Sequence, residues 1–163
     1  KADSIAQATK PKEIVVKESG FVNITQIGGG IGLANTSVDY SRSLISFNNV
    51  FGYEVNRHLI VGAGLGLHLY NGGTMVPLYA DLRYSFRGDK IVPFISGDGG
   101  VLIVLEDVGS SGLFVNPIFG LSKKLSTKLS LHIGTGLLIQ MAPAGMRNSF
   151  INLKGGLDFR PGR

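Results

Sequence analysis

Ser130 and His132 stand two residues apart, and Asp98 and Asp158 lie in the same 163-residue chain, so the parts of a serine hydrolase triad are present. The chemistry would be acyl transfer, with serine attacking, histidine taking its proton and an acid orienting the ring. The pattern argues against it. The order is S-x-H, both side chains fall on one register of an alternating stretch, and no nucleophile elbow surrounds Ser130. No catalytic residue is therefore expected.

Other candidate motifs resolve in the same way. His58, His68 and His132 share the polar register, but His58 and His68 are ten residues apart, roughly 33 Å along a strand. They cannot ligate one ion with His132, so no metal is expected. Cysteine is absent, which removes thiolate sites and disulfides. The glycines at 28 to 32 and at 62, 64 and 66 resemble a phosphate cradle only in composition. They alternate inside strand-like stretches with no helix following, so no nucleotide cofactor is expected. Arg87-Gly88-Asp89 spells an adhesion tripeptide, yet a polar hairpin turn accounts for it.

Six charged residues need an account: Glu54, Asp81, Arg83, Asp98, Lys154 and Asp158. The stretch Met75 to Phe86 shows their setting. Val76, Leu78, Ala80, Leu82, Tyr84 and Phe86 form one apolar face, while Pro77, Tyr79, Asp81, Arg83 and Ser85 form the other. A period of two is a strand with chemically different faces. About eight such strands follow one another, near 21–33, 43–55, 58–70, 75–86, 91–105, 113–123, 128–141 and 149–159. All six charges fall on the polar register. That register is otherwise glycine, serine, asparagine and histidine, too thin in Lys and Glu to serve as a wet outer wall. It reads as a cramped interior in which the six charges pair as a network and glycines leave room for Arg83, Lys154, Tyr79 and the histidines.

The expected fold is therefore all-β, an eight-stranded antiparallel up-and-down transmembrane barrel with a polar, side-chain-filled lumen. Composition agrees: charged residues are 17%, mean hydropathy is +0.23 and glycine numbers 24, while no run approaches the ~20 apolar residues of a membrane helix. Residues 1–19 form a polar tail, 20–160 the barrel and 161–163 a short end. The connections at Asn56-Arg57, Gly88-Asp89 and Ser126-Thr127 are expected to be tight and periplasmic, and those near 34–42, 71–74, 106–112 and 142–148 mostly longer. Phe51, Tyr53, Tyr84, Phe86, Phe94 and Phe159 are expected to form an interfacial girdle at the tight-turn end. The net charge of +5 comes from scattered bases without a basic stripe, so nucleic acid is not a partner.

The segment VPLYADLRYSFRGDKIVPFISGDGGV carries a resemblance. A strand with Pro, Tyr and Arg, a polar turn, then a Pro-Phe strand running into glycines resembles the small outer-membrane barrels of the OmpA/OmpX-like group, especially short barrels of Bacteroidetes-type bacteria. The style extends over about residues 20–159. It departs at the end, where Phe159 is followed by Arg160-Pro161-Gly162-Arg163 rather than closing the chain. The resemblance implies a bacterial outer-membrane location with both termini periplasmic. The function expected is non-enzymatic: a barrel without an open pore, structural or accessory to a larger envelope complex, with outer-membrane lipid and envelope proteins as partners. Two alternatives stand beside it, a soluble lipocalin-like barrel holding an apolar ligand and a lipid A-modifying hydrolase using Ser130 and His132.

Overall fold

The computed structural model describes residues 19–33, 42–145 and 147–162. The expected N-terminal tail up to residue 18 and most of the first long loop lie outside the described residues. Eight strands follow in order: β1 (Gly20–Gly32), β2 (Ser43–Glu54), β3 (Leu59–Tyr70), β4 (Gly73–Ser85), β5 (Ile91–Val104), β6 (Gly112–Lys124), β7 (Leu129–Met141) and β8 (Arg147–Phe159). Each pairs antiparallel with the next, and β8 pairs back on β1, so the sheet closes. Closure satisfies every strand edge within the chain, which is what a sheet needs in hydrocarbon.

The stagger can be followed residue by residue. Paired positions lead from Gly20 through Glu54, Ile60, Arg83, Ser96, Ile118, Gly136 and Asn152 back to β1 at Gly30, ten residues further along. Such a stagger tilts the strands by about 40° to the axis. Thirteen residues, the length of β1 and β4, then rise roughly 33 Å. That matches a hydrocarbon core of about 30 Å.

Burial alternates along every strand, and the apolar register is on the outside. Phe47, Leu65, Leu78, Leu82, Phe119, Ile133 and Leu153 are about half exposed on the outer wall, while Arg83 and Asp158 are 2% exposed inside. A soluble barrel of lipocalin type would have these faces exchanged, so that alternative is overturned. This is a membrane barrel whose lumen takes the polar side chains.

The connections differ from expectation in one place. Those at the end where β1 starts and β8 finishes, here the terminal end, span 55–58, 86–90 and 125–128. At the opposite end β3 and β4 are joined by Asn71 and Gly72 alone, the shortest turn among the described residues. The strands run further into this hairpin than the alternation suggested, because Leu69 pairs with Thr74 and Tyr70 with Gly73. The β5–β6 loop contains a 3-10 turn, Val108–Ser110, capped by Asp107, whose carboxylate accepts from the Gly109 amide at 3.1 Å and the Ser110 hydroxyl at 2.6 Å.

Candidate functional site

The lumen is where this sequence concentrates its chemistry. All six residues expected to form a charge network lie inside and are buried. Their ion pairs gather in two groups, between which Asp81 shares a side-chain hydrogen bond with Asp98 and lies in the field of Arg83. Near the terminal end, Arg83 on β4 reaches across the barrel so that its Nη1 donates to Asp158 Oδ1 on β8 at 3.3 Å. The guanidinium also lies over the Phe94 ring, 4.6 Å from its centre. His132 Nδ1 is 2.8 Å from the same Asp158 oxygen. Arg160, just past β8, turns inward: Nε donates to Glu54 Oε1 at 2.7 Å and Nη1 to Ser130 Oγ at 3.0 Å.

A second group sits at mid-height. Lys154 Nζ donates to Asp98 Oδ2 at 2.8 Å, and Asn116 Nδ2 donates to that oxygen at 3.3 Å. Asn152 in turn donates to Asn116 Oδ1 at 2.8 Å. Asp81 faces Asp98 directly in the β4–β5 register, yet has no ion pair among the described residues. Asn48, Tyr79, Asp81, Arg83 and Ser96 each carry a buried polar atom without a protein partner, the kind of group that internal water serves.

Glycines make the room for these side chains. A Cβ on Gly28 would stand 2.9 Å from Lys154 Cγ, and one on Gly156 would stand 2.9 Å from His132 Cε1. A Cβ on Gly64 would run into the Tyr79 ring. Large inward side chains therefore lie over notches on neighbouring strands, which is how so narrow an interior accepts arginine, lysine and tyrosine.

The far end of the lumen is aromatic. Tyr70 packs edge-on to Phe150 with centroids 5.8 Å apart, and Tyr79 and His68 pack on Phe114 at 5.7 and 6.4 Å. Leu44, Leu102 and Leu138 pack with them, the cluster continues along the lumen through Val22, Ile24, Val50 and Ile60, and Gln140 donates to the Tyr70 hydroxyl.

Several residues stand elsewhere than expected. Phe94 is not in the girdle. It is 1% exposed and lies in the lumen beneath Arg83, because it shares the parity of Ser96 and Asp98 rather than that of Ile95. Phe51, Tyr53, Tyr84, Phe86 and Phe159 are on the outer wall toward the terminal end, joined by Phe21, which pairs with Tyr53. His58 is outside the lumen, in the turn before β3, with Nδ1 2.8 Å from the Ser85 carbonyl oxygen and its ring stacked on Tyr84. The three histidines thus occupy three separate places. Sequence reasoning does not reach Arg160 or Gln26. Arg160 follows the last strand and has no parity to read, and Gln26 lacks charge.

The triad can be tested on distances. His132 and Asp158 form a dyad, but His132 Nε2 meets Gln26 Nε2 at 3.2 Å instead of Ser130. Ser130 accepts from Arg160. No nucleophile–base contact exists among these groups, and all three are sealed from the bilayer. On the outer wall, Asn23, Thr25 and Asn49 form a small polar cluster in which the two amides exchange bonds of 2.9 and 3.1 Å, and Asn49 also donates to Thr25 Oγ1 at 2.9 Å. Among the described residues that cluster holds neither a base nor an acid.

No protein-family model matches the chain, and no curated protein matches it in sequence. Solved structures do match in shape. Neisserial surface protein A aligns with a TM-score of 0.69 at 13% identity, covering 88% of this chain and 99% of that one. The N-terminal β-barrel domain of Pseudomonas aeruginosa OprF aligns at 0.56 with 15% identity, covering 88% and 100%. The outer membrane enzyme PagL aligns at 0.53 with 15% identity, covering 82% and 97%. The chain therefore has the fold of small eight-stranded outer-membrane barrels, consistent with the OmpA/OmpX-like resemblance.

Proposed function

We propose that this chain is a non-enzymatic barrel of the bacterial outer membrane, with both termini in the periplasm and no open pore, structural or accessory to a larger envelope assembly. The observation that carries the reading is the pair of ion pairs that cross the lumen, Arg83–Asp158 and Lys154–Asp98. An interior spanned by paired, buried charges and packed with aromatics toward one end supports a barrel without an open pore. The self-paired Asn23–Thr25–Asn49 cluster supports an accessory role, since amides on a lipid-facing wall suit contact with a neighbouring membrane protein.

The likeness to an outer-membrane enzyme makes lipid hydrolysis the reading to test against. The experiment is reconstitution of the purified barrel in planar bilayers and in lipid A-containing vesicles. The expected result is no unitary conductance step and no release of fatty acid, in wild type as in His132→Ala. Discrete steps, or fatty-acid release that His132→Ala abolishes, would overturn the proposal.

A further inference from the structure

Two features of the outer wall meet at one place. The first is a groove of about 710 Å³ running obliquely from Leu59 and Tyr84 across β5 and β6 to Thr135 on β7. It exists because the outward register is small along that line. Gly97 pairs with Pro117, and Thr135 follows on the next strand, while Leu82, Ile95 and Phe119 stand up as its banks. The lining is almost wholly apolar. Leu59 and Tyr84 set one end of the groove toward the terminal end, where the aromatic side chains gather, and Thr135 sets the other at mid-wall.

The second feature is charge. The strand columns that border the groove each end in an exposed cation at the terminal rim: Arg87 after β4, Lys90 before β5, and Lys123 at the end of β6. Lys123 shares the outward register of Phe119 and is paired with Ile91, the residue after Lys90. Lys124 and Lys128 continue the rim, and Asp89 is its exposed acid among the described residues. Among the described residues the opposite end is balanced, with Arg42 and Arg147 against Glu106 and Asp107. Among the described residues, bases that read as scattered in the sequence are thus gathered at one rim, because every connection at that end carries a base.

We propose that this groove and rim form a binding site for an anionic glycerophospholipid, with one acyl chain lying along Ile95, Gly97 and Thr135 and the headgroup phosphate held by Arg87, Lys90 and Lys123. Charge complementarity selects the headgroup, and the mouth of the groove sets the chain beneath it. Cations at a membrane surface each favour anionic lipid, and lysine stems can run along the apolar wall while the ammonium meets the phosphate. The choice of a glycerophospholipid over a phosphorylated saccharolipid rests on the proposed orientation, which puts this rim in the periplasmic leaflet.

The test is native mass spectrometry of the detergent-purified barrel offered equal amounts of phosphatidylglycerol and phosphatidylcholine with identical chains. Wild type should retain phosphatidylglycerol with a preference of about tenfold. Lys90→Glu with Lys123→Glu should bring the ratio to about one. Gly97→Leu should lower retention of both lipids and leave the ratio unchanged; a Cβ at Gly97 meets nothing within 4 Å, so this change fills the groove without disturbing the wall. An unboiled-versus-boiled gel shift equal to wild type verifies folding, and Lys90→Gln with Lys123→Gln replaces the reversal variant if that one fails to fold. Equal retention of the two lipids by wild type, or retention indifferent to Gly97→Leu, would overturn the site itself. Lipid A displacing phosphatidylglycerol would instead overturn the orientation on which the lipid class rests.

Discussion

At the terminal end of the lumen Arg83 spans the barrel to Asp158, and Arg160 closes on Glu54 and Ser130. At the opposite end Tyr70, Phe114 and Phe150 interlock over Leu44, Leu102 and Leu138. Both fillings occupy the lumen, but they depend on their parts differently. An ion pair buried in low dielectric costs desolvation on both sides and is repaid only while both members are present. An aromatic cluster loses the transfer free energy of what is removed plus the cavity left behind. The charged end should therefore fail abruptly when one member is lost, and be nearly indifferent when a matched pair is exchanged for apolar groups. The aromatic end should degrade with volume.

The contrast can be broken by single substitutions, read as equilibrium unfolding by denaturant in detergent or lipid. Arg83→Ala leaves Asp158 with only His132 and Arg160 beside it and removes the cation over Phe94, with an expected loss of about 3 kcal/mol. Arg57→Ala, in an exposed turn, should cost under about 1 kcal/mol, the range of an exposed interaction. Equal effects would remove the argument for a structural ion pair. Phe150→Ala, in the aromatic end, should cost about 3 kcal/mol, and Phe150→Leu clearly less. If the two Phe150 variants were alike, volume would not be what that end depends on. The comparison is sharpened by the mid-height pair. Lys154→Met alone should destabilise, whereas Lys154→Met with Asp98→Leu should return to within about 1 kcal/mol of wild type. A double variant as poor as the single would mean that Asn116 and Asn152, bonded to each other and through Asn116 to Asp98, hold the mid-height group in place.

Much of this architecture is legible in the sequence, for a physical reason. A strand has a period of two, and a membrane barrel makes its two faces as unlike as hydrocarbon and water. Parity alone therefore places Glu54, Asp81, Arg83, Asp98, Lys154 and Asp158 inside. What parity cannot supply is which of them meet. Arg83 donates to Asp158 across the lumen rather than to Asp81, two residues away on its own strand, because partnership is set by the ten-residue stagger, a property of the closed sheet. At Phe94 residue type and parity point in opposite directions: an aromatic near a strand end suggests the interface, while its neighbours Ser96 and Asp98 point inward, and parity prevails. The basic rim is hidden differently. Its members are spread from Arg87 to Lys128 along the chain, and only alternation of the connections between two ends brings them together.

The β1–β8 seam has a consequence for assembly. Its first pair is Asn23 with Phe159, near the two extremes of the chain. Neighbouring hairpins can each register locally, but this seam closes a loop of well over a hundred residues, the costliest contact in the molecule to search for. Until it forms, β1 and β8 both present unsatisfied edges that would accept any passing strand. Insertion is then a race between the chain finding its own tail and a foreign strand finding either edge. Residues near the seam, Asn23 and Phe159 first among them, bear on how much barrel is made more than on how stable it is once made.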